Sequence, residues 1–336
     1  MAGSRLKICL VCSGGGHLRQ ILQLESLRDD FDCYLVTGRT VLAESASKTI
    51  RTFYVEDIAL GMLRTGPKAW LQWIRNFFQS LAILRRERPD VILSTGAGTA
   101  LNTLVLGRLF GKRVLFIETF AHTRTPSLTG KWVARFAHGH LVQWEALVGK
   151  YPKAMFASPL IETGEVISTK KEAWFQVLVT VGTHGPFDRL VMEVERLIEE
   201  KKIRGRVAAQ VGTGGYAPSN METVATCTPE EMKGLQEDSE IVITHAGTGS
   251  ILSALEAGCK VIAIPRSAWH GEHYDDHQIE ILSEMRSRDA ILGGFDPSDL
   301  EELLEKVGAF EPRKIEISVE PIDAAVRELL GEWFPK

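Results

Sequence analysis

The chain has 336 residues, 44% of them hydrophobic and 24% charged, with a formal net charge of −4, which is enough to bury two separate cores. Its five cysteines, an odd number, argue against a disulfide scaffold and for a reducing compartment, and no run approaches the ~20 apolar residues of a membrane span. Residues 1–160 hold 21 Lys and Arg against 11 Asp and Glu, whereas 161–336 hold 18 against 32, so a basic half precedes an acidic one, and sign alone does not choose between nucleic acid and anionic lipid for the basic half.

From the N-terminus, MAGSRLKICLV reaches a strand at 6–12 almost at once. That leaves no room for a signal peptide, and the protein is expected to stay in the cytoplasm. Cys9 and Cys12 make a C-x-x-C by count, but strand residues three apart face opposite sides. With no second ligand pair to complete a zinc pattern, buried thiols are expected. The turn Ser13-Gly14-Gly15-Gly16-His17 opens a helix at 17–28, followed by a strand at 32–37, a helix near 41–48 and a strand near 52–55, which is βαβ order. Gly15 and Gly16 suit the cradling of an acceptor phosphate. His17 is either a polar cap or, at a sheet's carboxyl end, an acid–base group.

Ile58 to Arg88 reads IALGMLRTGPKAWLQWIRNFFQSLAILRRER. At about 100° per residue, Trp70, Leu71, Trp73, Ile74, Phe77, Phe78, Leu81 and Leu84 fall on one side, and Lys68, Gln72, Arg75, Asn76, Gln79 and Arg86 on the other. A crossover helix packed on the sheet fits this pattern. So does an interfacial helix, since tryptophans and phenylalanines flanked by arginines suit a membrane surface. Leu60, Leu63, Trp70, Trp73 and Phe77 are therefore expected to dock the first half on an anionic membrane.

A strand at 91–94, the turn Gly96-Ala97-Gly98, a helix to about Phe110 and a strand at 114–117 follow. Glu118 closes the last of these and is expected to project from the strand edge, where a carboxylate can take a proton from an acceptor hydroxyl, unless it pairs with Arg113 or Arg124. His122, Arg124, Ser127 and Lys131 lie just beyond in a loop suited to phosphate contacts. Residues 158–173 carry little periodic apolar character and read as a linker. It separates an acceptor-binding, membrane-associating domain at 1–157 from a nucleotide-sugar domain at 174–320, and 321–336 read as a helix packing back toward the first domain.

The second series starts with a strand at 175–181 and the turn at Gly182-Thr183, then a helix at 187–201, a strand at 207–211 and a helix at 229–237. Ile241 to Gln278 reads IVITHAGTGSILSALEAGCKVIAIPRSAWHGEHYDDHQ, a strand, a glycine turn, a helix, a strand and a polar loop. Free N–H groups and the helix dipole make such a helix start an anion site, and glycines let a diphosphate approach the main chain. Glycines after a strand occur in any α/β protein, but the acids and amides of the later loop suit sugar hydroxyls. Both halves are Rossmann-like, an α/β architecture expected to face a central cleft.

The stretches SGGGHL, STGAGTA, FIETFAHTRTPSLTGK and LVQWE resemble the PssD-type subunit of bacterial exopolysaccharide glycosyltransferases. VLVTVGTHGPFDRLV, ITHAGTGSILSALEAG and DDHQIEIL resemble the PssE-type subunit, and the fused order is similar to the glucuronosyltransferases of sphingan assembly, to MurG and to the two-subunit eukaryotic N-acetylglucosaminyltransferase. The resemblance implies a GT-B fold and an inverting, metal-independent transfer from a UDP-sugar to a polyprenyl-diphosphate-linked sugar, with no cofactor. By position it implies donor contacts from Gly182, Thr183, His245, Gly247, Thr248, Gly249 and Ser250, a ribose contact from Glu256, sugar reading by Asp276 and Gln278, and acceptor contacts from Gly15, Gly16, His122, Arg124 and Lys131. MurG has His-Glu-Gln-Asn where Glu118 stands, so the base is either Glu118, the favoured candidate, or His17.

The donor expected is glucuronic acid, passed to lipid-linked glucose in exopolysaccharide or capsule assembly at the cytoplasmic face of a bacterial inner membrane. Arg189, Arg266, His270 or His273 is available for the sugar carboxylate. No nucleic-acid partner is expected. Galactose is the rival donor, and the rival classes are a non-hydrolysing UDP-sugar epimerase, a silent UDP-sugar-binding partner and an NAD-dependent oxidoreductase, which needs a fuller G-x-G-x-x-G turn and an acid about 20 residues on.

Overall fold

The structure, a computed structural model, describes residues 5–58, 67–167, 173–182, 185–272 and 277–335, without the side chains of residues 67 and 68. It divides into two compact units, Met1–Pro159 with Ser318–Lys336, and Leu160–Ile317.

In the first unit, strands β1 (Lys7–Cys12), β2 (Asp32–Thr37), β3 (Thr52–Tyr54), β4 (Val91–Gly96), β5 (Arg113–Ile117), β6 (Gly139–Val142) and β7 (Ala154–Phe156) form one parallel sheet in the order β3-β2-β1-β4-β5-β6-β7. KICLVC and VILSTG are unbroken runs because helices cover both faces of a parallel sheet. Cys9 belongs to the core on one face and Cys12 to the core on the other, and burial pushes both thiols up to about 12. The helices are α1 (Gly16–Leu22), α2 (Leu27–Asp30), α3 (Val41–Ala46), α4 (Pro67–Glu87), α5 (Leu101–Leu109) and α6 (Leu128–Val133). The helix expected at 17–28 is thus two helices. The break between them presents Ser26, whose hydroxyl donates to Asp323 near the C-terminus and whose carbonyl accepts from Arg327.

Helix α4 departs from its expected orientation. Asn76, placed by the helical wheel on the solvent side, is fully buried, as is Ser80. Asn76 Nδ2 donates to the carbonyls of Glu56 (2.7 Å) and Thr99 (3.2 Å), Asn102 Nδ2 donates to Asn76 Oδ1 (3.0 Å), and Thr103 Oγ1 donates to Ser80 Oγ (2.9 Å). The helix therefore seats its first half on α5 through polar side chains and turns Trp70 (64% exposed), Leu71, Trp73, Ile74 and Phe78 (62%) outward. Phe77 is half-buried, and Leu60 and Leu63 lie outside the described residues.

His140, on β6, is buried and stacks on Tyr151 with ring centroids 5.0 Å apart. Burial lowers its pKa from 6.5 to about 4. The unfolded chain binds a proton in that interval and the folded chain does not, so stability is lost as pH falls from about 6.5 toward about 4, by roughly 3 kcal/mol at most. Thermal melts across this window should show the loss, and His140→Phe should flatten it.

The second unit holds β8 (Leu160–Val166), β9 (Phe175–Thr180), β10 (Val207–Gln210), β11 (Glu222–Val224), β12 (Ser239–Thr244), β13 (Lys260–Ala263), β14 (Leu292–Gly293) and β15 (Arg313–Ile317), with helices α7 (Asp188–Glu199), α8 (Pro229–Glu237), α9 (Thr248–Glu256), α10 (His277–Ser287) and α11 (Leu300–Val307). Its main sheet is parallel in the order β11-β10-β9-β12-β13-β14. The expected linker is in part a strand: β8 pairs antiparallel with β15, Leu160 opposite Ile317 and Val166 opposite Arg313. The last helix, α12 (Glu320–Trp333), belongs to the first unit, where Ile322, Ala325, Val326, Leu329 and Leu330 join the core that contains Cys12.

Strand order reverses between β1 and β4 in the first unit and between β9 and β12 in the second. Loops leaving the carboxyl ends at such a reversal diverge and open a ligand crevice, and the glycine turns singled out in the sequence stand at these two places.

Candidate functional site

In the second unit, β12 ends at Thr244, Ala246 takes a left-handed φ of 57°, and α9 begins behind Gly247 with no side-chain cap on its first turn. The polypeptide reverses here around His245, 8% exposed, whose Nδ1 lies 3.3 Å from the Thr180 carbonyl. Gly182 and Gly247 press on its imidazole. A Cβ on Gly182 would stand 2.5 Å from the ring, and one on Gly247 would overlap it. The uncapped start of α9 presents N–H groups beside Gly247, Thr248, Gly249 and Ser250, an arrangement that accepts anions. Glu256 is the exposed last residue of α9, about 12 Å along the axis from Thr248. Gln278 is 4% exposed, and its Oε1 accepts the Arg266 backbone N–H at 2.9 Å. Thr183 and Asp276 lie outside the described residues.

Two buried side chains hold the main chain at the end of β9, next to this turn. Gln210 Oε1 accepts from Gly182 N and Thr180 Oγ1, both at 3.0 Å, while its Nε2 donates to the Gly182 and Ala225 carbonyls at 3.1 Å. Arg266 donates to the Val181 and Gly185 carbonyls. Arg189 donates Nε and Nη2 to Glu272 and Nη1 to Asp296. Burial pushes the Glu272 carboxyl up, but hydrogen bonds from Arg189 and the Ser267 N–H outweigh it and hold the pKa below the usual value. Arg189 and Arg266 are therefore committed to the protein's own groups, which corrects their expected use on a sugar carboxylate. His270 is exposed, and His273 is outside the described residues.

In the first unit, two turns are sewn together at the reversal between β1 and β4. Ser13 N donates to the Gly96 carbonyl (2.9 Å), Ser13 Oγ accepts from Ala97 N and Thr99 N, and Thr95 Oγ1 donates to the His17 carbonyl (2.9 Å). His17 Nδ1 is 2.6 Å from the Thr95 carbonyl. A carbonyl only accepts, so Nδ1 carries the proton, and a neutral ring keeps its lone pair on Nε2. Gly15 and Gly16 enter α1 just ahead of this ring, with Gly16 exposed.

Glu118 does not project from the strand edge. It is 1% exposed. Its Oε1 accepts from Thr119 N (2.8 Å), and its Oε2 accepts from Ser127 N (3.0 Å) and from the Tyr151 hydroxyl. Ser127 in turn caps α6. The carboxylate is thus the knot of the loop at 119–127, which carries half-buried His122 and exposed Arg124 and leads to exposed Lys131. Among the described residues no group of three His, Cys, Asp or Glu side chains is placed to hold a metal ion, and no helix is long and apolar enough to cross a membrane.

Residues 64–160 match the family described as oligosaccharide biosynthesis protein Alg14 like, and residues 176–328 match the glycosyltransferase family 28 C-terminal domain. The UDP-N-acetylglucosamine transferase subunit ALG14 of Eremothecium gossypii is 31% identical over 181 residues, which are 46% of this chain and 80% of that protein. The chain belongs to the Alg14-like family. Its Alg14-like half and its family 28 half are matched together by the UDP-N-acetylglucosamine--N-acetylmuramyl-(pentapeptide) pyrophosphoryl-undecaprenol N-acetylglucosamine transferase of Desulforudis audaxviator, 25% identical over 309 residues and 80% of each chain. Among solved structures, MurG of Acinetobacter baumannii superposes with a TM-score of 0.60 at 15% identity over 90% of both chains. The UDP-GlcNAc 2-epimerase of Methanocaldococcus jannaschii gives 0.66 at 10% identity, covering 97% of this chain and 99% of the other. These structural likenesses define the fold, two Rossmann-like domains of the GT-B type, and with the sequence relatives they make the Alg14-like chain a GT-B glycosyltransferase.

Thr95, Tyr151 and Gln210 were not among the sequence candidates of the Alg14-like chain. Only Thr95 carried a usable signal, its place one residue before the glycine of a strand-to-helix turn. Tyr151 and Gln210 act on residues 33 and 28 positions away, a pairing that no local pattern encodes.

Proposed function

We propose that the protein transfers a sugar from a UDP-sugar to a sugar carried on a polyprenyl diphosphate, with inversion, His17 serving as the base. The observation that carries this is the 2.6 Å bond from His17 Nδ1 to the Thr95 carbonyl. It fixes the tautomer and leaves Nε2 as the basic atom at a sheet reversal, where ligands bind. Nε2 takes the acceptor hydroxyl proton as that oxygen bonds the anomeric carbon. The bond from that carbon to the β-phosphate oxygen breaks, and its electron pair leaves with UDP. The reaction as written uses no metal, because main-chain N–H groups at the start of α9 meet the charge that develops on the diphosphate. Gly182, Thr183 and the turn from His245 to Ser250 hold the donor, with Glu256 at the ribose and Asp276 and Gln278 at the sugar. Gly15, Gly16, His122, Arg124 and Lys131 serve the acceptor.

The printed names of the relatives, transferases of N-acetylglucosamine and in one case onto pyrophosphoryl-undecaprenol, support this class of donor and acceptor. Motif resemblance supports the finer reading, glucuronic acid passed to lipid-linked glucose in exopolysaccharide or capsule assembly. N-acetylglucosamine is the second reading, favoured by those names and by the commitment of Arg189 and Arg266 to protein partners. Exposed Trp70, Trp73 and Phe78, beside exposed Arg75 on α4, support docking on an anionic bilayer, which we assign to the cytoplasmic face of a bacterial inner membrane, with Leu60, Leu63 and half-buried Phe77 as further lipid contacts.

One assay tests both parts. Purified protein receives UDP-glucuronic acid, UDP-N-acetylglucosamine or UDP-galactose, with the prenyl-diphosphate glucose acceptor either in anionic liposomes or as a short-chain soluble analogue. UDP release should require acceptor, whereas conversion of the donor without acceptor would turn the reading to epimerisation. A Trp70→Ser/Phe78→Ser variant should lose at least about tenfold in rate on the liposome acceptor and little on the soluble one. Equal rates on both would remove the membrane assignment.

A further inference from the structure

Arg266 lies three residues beyond the end of β13, and its side chain runs back across the carboxyl end of the sheet. The strands stand in the order β9-β12-β13. A side chain that starts after β13 and bonds after β9 spans two strand spacings, about 10 Å, and crosses the end of β12. The end of β12 is where His245, Ala246 and Gly247 turn into α9. Arg266 Nη2 donates to the Val181 and Gly185 carbonyls, both at 2.5 Å, so one guanidinium nitrogen holds both of these carbonyls. The residue is 1% exposed, and its Nε has no hydrogen-bond partner among the described residues. Glu272, the carboxylate that faces it electrostatically, is gripped by Arg189 Nε and Nη2 and by the Ser267 N–H. A guanidinium stays protonated even when burial lowers its pKa. Burying one without a carboxylate of its own is costly, and neither of its carbonyl partners carries a formal charge.

We propose that Arg266 is a positioning residue of the donor half, its buried charge lying under the diphosphate of a bound nucleoside diphosphate sugar while its Nη2 holds the Val181 and Gly185 carbonyls. The residue does not touch the ligand. It acts through the Val181 and Gly185 carbonyls and through its field, which is little screened at that depth. The proposal rests on the donor reading of this turn and adds a second source of positive potential to the start of α9.

The test is calorimetric titration of the full chain with UDP and, separately, with uridine, which has the same base and ribose but no diphosphate. Arg266→Met should weaken UDP by about tenfold or more and change uridine by less than about threefold. Arg266→Lys keeps the charge without the planar guanidinium and should hold the ratio of UDP to uridine affinity within about threefold of wild type. Equal weakening of both ligands by Arg266→Met, or no change in either, overturns the proposal. If Arg266→Met does not fold, a collapsed ratio in Arg266→Lys overturns it and a preserved ratio supports it. Wild-type protein that binds neither ligand would remove the donor reading together with this one, whereas wild-type UDP binding with an unmoved ratio removes this one alone.

Discussion

His17→Asn should reduce transfer by about 10²–10⁴-fold while leaving UDP affinity at its wild-type value. Asparagine places an amide N–H near the position of the imidazole Nδ1, so the bond to the Thr95 carbonyl and the packing of the ring against Gly96 are replaced with little disturbance. What is lost is the lone pair on Nε2. The measurement is steady-state transfer beside calorimetric UDP binding, and a variant within tenfold of wild type in kcat would move the base elsewhere.

Glu118→Gln should behave differently. The carboxylate accepts from Thr119 N, Ser127 N and the Tyr151 hydroxyl. An amide offers only one acceptor oxygen and turns its NH₂ toward a donor, leaving buried groups unmatched at a cost of about 1–3 kcal/mol. The variant should melt several degrees lower and show a raised acceptor KM, because the loop at 119–127 loses its knot, while the kcat of the folded fraction falls far less than in His17→Asn. Tyr151→Phe removes one donor and should lose about 1 kcal/mol. A Glu118→Gln protein as stable as wild type but inactive would return the base to Glu118.

The two predictions separate residues that one motif level makes equivalent. Glu118 directly follows a parallel strand and His17 follows one across a glycine turn, and the sequence supports either as the base. Their difference lies in partners far along the chain, Thr95 for His17 and Tyr151 for Glu118, which spacing does not reveal. The same limit explains α4. Its apolar stripe was legible, but Asn76 faces Glu56, Thr99 and Asn102, and only the fold brings those acceptors and donors to one side. β8 was missed because its pairing partner, β15, lies some 150 residues away and supplies the pattern that LIETGEV lacks by itself. By contrast β2 and α8 fall at the expected residues, 32–37 and 229–237. The first is an apolar stretch of a parallel sheet, and the second is opened by a Thr228–Glu231 capping box with Pro229 at its start. Local chemistry sets both.

The polar seat of α4 also decides how this helix responds to its surroundings. A helix held by its apolar stripe alone can roll to offer that stripe to a new apolar phase. One oriented by Asn76 and Ser80 against Asn102 and Thr103 does not, because rotation in either direction would strand those hydrogen-bonding groups. Helices inside bilayers choose their neighbours in the same way, by polar side chains rather than by apolar area. The outward tryptophans are therefore held in one direction by polar contacts on the opposite face, and under the proposed docking the helix should keep its rotational setting at a bilayer.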